Sequence, residues 1–157
     1  MIYLLAALIG IAAGLRAMVA PTVVSWAAGR GQLDLSAGWL AFLGYRWTPW
    51  ILSVAAIGEL VNDKLPGTPS RKVPPQFVVR ILSGAVSGAA IATPSGNWAM
   101  GAIMGVVGAV IGTLGGAAIR GRLASAFRRD LPAALIEDAV AIVLAVAVVA
   151  WAGCLAA

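Results

Sequence analysis

The sequence predicts an all-α bundle of about five membrane segments, forming one integral membrane domain over residues 1–157. Three observations predict it. Of the 157 residues, 61% are hydrophobic and 11% charged, against roughly 45–50% and about 25% in a soluble domain. The apolar residues gather in stretches close to the roughly 20 that a helix needs to cross a bilayer. Glycines recur four apart at Gly101/Gly105, Gly108/Gly112 and Gly112/Gly116, the spacing that lets helix backbones approach closely.

The first segment runs from about Ile2 to Ala28. Met1-Ile2-Tyr3-Leu4-Leu5 lacks the basic start of a secretory signal, so the segment reads as an uncleaved span. Arg16 sits near its middle, and Pro21 removes a backbone donor five residues on, so a kink or break is expected near Ala17–Pro21. Gly29–Ser36 is a polar connection. Gly38–Gly44 is too short to span, and with Tyr45, Trp47 and Trp50 it reads as an aromatic interfacial belt. The second segment runs from about Thr48 to Lys64. Four prolines between Leu65 and Gln76 make the next stretch a loop.

The third segment, about Phe77 to Thr93, carries Ser83/Ser87 and Gly84/Gly88, each pair four apart. After the turn Pro94–Asn97, the glycine-rich fourth segment extends from Trp98 to about Ile119. No Gly-Lys-Ser/Thr follows, so close packing accounts for its glycines better than a phosphate loop. Arg120, Arg122, Arg128 and Arg129 mark a basic connection, and Asp130 with Pro132 opens the fifth segment, about Leu131 to Ala152.

The bases outside the spans divide unequally. Lys64, Arg71, Lys72, Arg80, Arg120, Arg122, Arg128 and Arg129 fall on one side, and Arg30 and Arg46 on the other. With five crossings, the positive-inside rule places the N-terminus in the cytoplasm and the C-terminus outside. The net charge of +5 shows no basic stripe interleaved with aromatics, so nucleic acid is not an expected partner; membrane lipid is. One cysteine, Cys154, and no histidine exclude an intrachain disulfide and a Cys/His metal site. No metal or cofactor is expected, and Cys154 reads as apolar filler.

Two local patterns recur in order. Ile9-Gly10, Gly14 and Arg16 resemble Ile111-Gly112, Gly116 and Arg120; Ala55-Ala56-Ile57-Gly58-Glu59 resembles Ala133-Ala134-Leu135-Ile136-Glu137. They suggest an inverted repeat of residues 1–66 and 98–157 around a linking helix at 77–93, a frequent transporter design.

A charge within a membrane segment costs at least about 2.5–3.5 kcal/mol, so it usually faces the bundle interior. Arg16 is too central to snorkel, and can pair structurally or hold an anion. Glu59 and Asp63 share a helix face with Asn62 nearby, an oxygen-rich group suited to protons or hard cations. Glu59 is the deeper acid, with Arg16 as a candidate partner; Asp63 and Lys64 read as the membrane exit. Glu137 and Asp138 point about 100° apart. Glu137 matches Glu59 in the repeat, and Asp138 is expected to pair with Arg120 or Arg122.

Gly14-Leu15-Arg16-Ala17-Met18 with Pro21, the stretch Glu59-Leu60-Val61-Asn62-Asp63-Lys64-Leu65-Pro66-Gly67-Thr68-Pro69-Ser70-Arg71, the Gly108–Arg120 helix and Leu135-Ile136-Glu137-Asp138-Ala139-Val140 resemble the domain-of-unknown-function 4126 family of bacterial integral membrane proteins. The resemblance covers nearly the whole chain and implies membrane placement; it implies no activity or ligand.

The leading functional expectation is a small transporter or channel-like protein of the bacterial inner membrane. It would move a small solute or ion through a polar core of Arg16, Glu59 and Glu137, with proton or cation coupling. A bundle this small rarely encloses a path alone, so a homo-oligomer is expected. The alternative is a scaffold or partner subunit whose buried charges only fix helix packing. No nucleophile–base pair is present, so an enzyme is not expected; in a lipid-acting enzyme, Arg71 and Lys72 would hold a headgroup phosphate. A wet cavity reaching Glu59 or Glu137 favours transport, whereas complete pairing without a cavity favours the scaffold.

Overall fold

A computed structural model describes residues 1–36, 38–63 and 73–156. Among these, every regular element is helical. The α-helices are α1 (Ile2–Leu15), α2 (Val19–Gly29), α3 (Thr48–Asn62), α4 (Pro74–Ala92), α5 (Trp98–Phe127) and α6 (Asp130–Ala156). Short 3-10 helices occupy Trp39–Gly44 and Thr93–Ser95. Three stretches are long and apolar enough to cross a membrane: Pro74–Ser95, Trp98–Phe127 and Asp130–Leu155; α1 and α2 are shorter apolar helices.

The break near Arg16 ends one helix and starts another. Arg16 is extended, at φ −139° and ψ 111°. Pro21 stands third in α2, where a helix has no intrahelical use for the backbone N–H. It therefore helps open a second helix instead of kinking a single one.

Neighbouring residues define the direction of each helix. Gly10 lies against Gly105, and Gly14 against Gly112 and Thr113, so α1 and α5 run the same way. Gly84 faces Gly105 and Gly88 faces Gly101, so α4 runs against both. Arg120 reaches Asp130 and Glu137, so α6 turns back along α5. Arg16 meets Asp138 early in α6, while Gln32, just past α2, lies beside Gly153 late in α6. The chain thus reverses at Arg16–Met18, and α1 and α2 form a hairpin. Finally, Trp26 reaches Ser53 and Met18 reaches Glu59, so α3 descends beside α2.

Two expectations change. The stretch from Ile2 to Ala28 is a hairpin instead of a through-span, so the N-terminus lies at the same end as the C-terminus. The inverted repeat requires α1 and α5 to run oppositely, and they run in parallel. The hairpin tip lies beside Gly112 and Thr113, seven residues before Arg120, or roughly 10 Å of helix.

The two ends differ in chemistry. Trp39, Tyr45, Trp47, Trp50, Trp98 and Trp151 are exposed around the end that carries both termini. Trp39 packs edge-on against Trp98 at 5.8 Å, and Trp26 against Trp50 at 5.1 Å. Tryptophan and tyrosine favour a membrane–water interface. At the opposite end lie Asp63, the start of α4, and Arg128, whose φ of 52° turns the chain from α5 into α6.

Glycine sets the packing between these ends. A Cβ on Gly84 would stand 2.7 Å from the Gly105 oxygen, and one on Gly14 would stand 2.8 Å from the Gly112 Cα. Helix α5 is therefore gripped by α1 and α4 at backbone distance, which supplies van der Waals attraction where lipid removes the hydrophobic drive between helices.

Candidate functional site

Ending two helices inside the bundle exposes backbone groups that need partners in a bilayer. The carbonyl end of α1 receives a cation. Arg80, on α4, donates from Nη1 to the oxygens of Gly14 at 2.8 Å and Leu15 at 2.7 Å. Thr113 of α5 also donates to the Gly14 oxygen, at 3.2 Å, and Ser83 donates to the Ala17 oxygen. The amide end of α2 receives an anion. The Ala17 N–H donates to Glu59 Oε1 at 2.9 Å, and the Met18 N–H to Oε2 at 2.8 Å. Both placements match the helix dipole, negative at a C-terminus and positive at an N-terminus. Arg80 Nη2 stands 3.5 Å from Glu59 Oε1, linking the two caps.

Arg16 lies at the tip between these caps, wholly buried. Its Nη2 lies 2.8 Å from Asp63 Oδ2 and 2.5 Å from Asp138 Oδ1. Asp63 also receives Arg120 Nη1 at 2.5 Å. Arg120 extends the chain of charges to Glu137 at 3.4 Å and to Asp130 at 2.5 Å. Arg16, Arg80 and Arg120 are thus interleaved with Glu59, Asp63, Glu137 and Asp138, and Asp130 closes the exposed rim. Arg80, Glu137 and Asp138 are buried as well. Replacing one member of a buried pair costs about 3–5 kcal/mol because the other charge is stranded.

A cavity of about 520 Å³ opens between α3 and α4 against this tip. Arg16, Met18, Glu59, Asn62, Gln76 and Arg80 line it. Its volume lies in the range of about 300–1,000 Å³ common for small-molecule sites. Arg16 Nε and Nη1, both fully buried, have no hydrogen-bond partner among the described residues.

The structure brings Arg16, Glu59, Asn62, Asp63, Arg120, Glu137 and Asp138 to one end of the hairpin, with several pairings changed. Arg16 pairs with Asp63 and Asp138, while Glu59 caps α2 and meets Arg80. Asp63 is a bridge between two arginines, beyond its expected place at the membrane exit. Asp138 turns to Arg16 instead of Arg120 or Arg122, and Glu137 takes Arg120. Glu137 faces a separate apolar groove of about 330 Å³ beside α5 and α6. Arg71 and Lys72 lie outside the described residues.

Arg80 is the buried charge of this cluster that the sequence reading left among the flanking bases. A signal was present. Arg80 shares a helix face with Ser83, Gly84 and Ser87, the face that packs inward. A base on a stripe of small residues points into the bundle.

A family model described as Domain of unknown function (DUF4126) matches residues 3–156, nearly the whole chain. No curated protein and no solved structure matches it.

Proposed function

The chain belongs to the DUF4126 family, and we propose that it is a small permease or channel-like protein whose solute site is the cavity between α3 and α4. The observation that carries this reading is that cavity: it reaches a fully buried arginine and a helix break from one side. Helix breaks near mid-membrane serve transporters by offering backbone dipoles to a solute. A protein needing only registry has no use for such an opening.

The bases order the orientation. Arg120, Arg122, Arg128 and Arg129 belong to the end where α3 finishes and α4 starts; Arg30 and Arg46 belong to the other. The positive-inside rule then makes the basic end cytoplasmic and puts both termini outside the bacterial inner membrane. The cavity adjoins the cytoplasmic end. Two or more copies would complete a path that one short hairpin leaves unfinished.

One observation favours the scaffold reading. Glu59 and Arg80 spend their strongest bonds on backbone groups of the hairpin, as parts that only hold a fold would. Gly58 separates the two readings. It lines the cavity, and a Cβ placed there meets nothing within 4 Å. The Gly58→Phe protein should fold normally with its cavity filled. In proteoliposomes screened with small ions and organic solutes, transport predicts a solute that wild type moves and Gly58→Phe does not. Flux no greater than in protein-free vesicles for every solute, with folded wild type, removes the transport reading.

A further inference from the structure

The apolar groove beside Glu137 is separate from the α3–α4 cavity and shares no lining residue with it. Helix α5 gives it Ile111, Gly115 and Ile119, α6 gives Ile136 and Val140, and α1 gives the buried Leu15. Its two charged residues, Arg120 and Glu137, stand 3.4 Å apart and answer each other. A polar occupant would find no further partner there, so the groove suits one that is apolar along its length.

The place of the groove along the bundle fits one leaflet. From Ile111 to Leu123 it follows α5 for twelve residues, or roughly 18 Å. Half of a bilayer's hydrocarbon core is about 15 Å thick. Ile111 lies thirteen residues beyond Trp98, at the belted end of α5. That separation, roughly 20 Å of helix, takes it past the midplane. The groove thus starts near the bilayer centre and ends among headgroups.

Three arginines stand near that end. Arg122 follows Ile119 by three residues and continues the face of Gly115 and Ile119. Arg128 and Arg129 lie in the turn from α5 into α6. All three are exposed, and no ion pair among the described residues includes them. We propose that the α5–α6 groove is a binding site for an anionic phospholipid of the leaflet at the basic end. One acyl chain lies in the groove, and the headgroup phosphate meets Arg122 and the arginines of the turn. Charge favours this occupant over a second copy. Copies in one membrane share an orientation, so a second copy would bring the same cations to the same end. Among the described residues, the exposed acid at that end, Asp130, is already bound to Arg120.

The test measures lipid kept by the full-length chain. Protein is released from vesicles of equal parts dioleoyl phosphatidylglycerol and dioleoyl phosphatidylcholine, and native mass spectrometry counts what remains bound. Wild type should keep phosphatidylglycerol in preference. Arg122→Gln and Arg128→Gln should each lower that preference by about fivefold. Gly115→Phe puts a ring into the groove at a position where a Cβ meets nothing within 4 Å. It should abolish retention while leaving the thermal midpoint of the delipidated protein unchanged. If that variant does not fold, phosphatidylglycerol with a photoreactive group in mid-chain is used on wild type, and the label should fall on peptides containing Ile119 and Val140. Equal retention of the two lipids by wild type overturns the site, as does retention untouched by Gly115→Phe or label spread evenly over the lipid-facing helices. Glycerol 3-phosphate raising the thermal midpoint as far as phosphatidylglycerol does would leave the acyl chain no role, and also overturns it. An oligomer that Gly115→Phe splits, with lipid retention intact, gives the groove to a second copy instead.

Discussion

Helix α1 is held by two mechanisms along its length, and they differ in what they tolerate. Its upper face meets α5 through Gly10 and Gly14, at distances where no side chain intervenes. Its lower end is held by charge, through Arg80 on its carbonyls and Arg16 against Asp63 and Asp138. The glycine seam acts through shape and is indifferent to pH and solute. The ionic end acts through the pairing of buried charges. A cavity opens beside the second region.

The largest expected effect comes from disrupting the seam. A Cβ on Gly105 would overlap the Gly84 carbonyl oxygen, which belongs to backbone and cannot rotate away. Gly105→Leu should destabilise by more than about 4 kcal/mol and leave little monodisperse protein, read by size exclusion after detergent extraction. Gly115, on the same helix with nothing within 4 Å of its Cβ, supplies the contrast. Gly115→Ala should be neutral or stabilising by up to about 1 kcal/mol. Equal losses at both positions would mean that helix flexibility, instead of close approach, explains the glycines.

Next comes the ionic end. Arg16→Met keeps much of the volume and takes from Asp63 and Asp138 the buried guanidinium that they share, so a loss of about 3–5 kcal/mol is expected. Pairing Arg16→Met with Asp138→Asn should recover part of that loss, because one buried carboxylate charge is then gone. A thermal midpoint for the double variant no higher than for Arg16→Met alone would show that the pair does not couple, and would return the tip to a purely steric account.

Much of this architecture was legible in the sequence. The third and fifth segments were placed within a few residues of α4 and α6 because a long apolar run in a bilayer has few alternatives. The fourth was placed to about Ile119, but α5 continues to Phe127, since Arg120 to Phe127 contain no proline and the single Gly121 is tolerated. The reversal at Arg16 was not legible. A kinked span and a hairpin carry the same hydropathy, and what separates them is where the freed backbone groups find partners. Those partners, Glu59 and Arg80, lie 41 to 66 residues away. The charged residues themselves could be picked out, because charge in a membrane segment is costly wherever it sits. Their pairing could not, since it depends on which helix faces meet.

The smallest expected effect tests where the ionic region ends. Arg120 touches both Asp63, with its side chain 19% exposed, and Asp130, 60% exposed, at the same 2.5 Å. Distance alone would rank the two pairs equal. Water, however, screens the outer pair and solvates either partner left behind. Asp130→Ala should therefore cost less than about 1 kcal/mol, and that loss should shrink as salt rises. Asp63→Ala removes a bridge between Arg16 and Arg120 and should cost several-fold more, with little salt dependence. Thermal midpoints of the two variants across a salt series decide the matter. If Asp130→Ala proves the more damaging, the rim carries the load, and the hairpin tip is held from the loop between α5 and α6 instead of from α3.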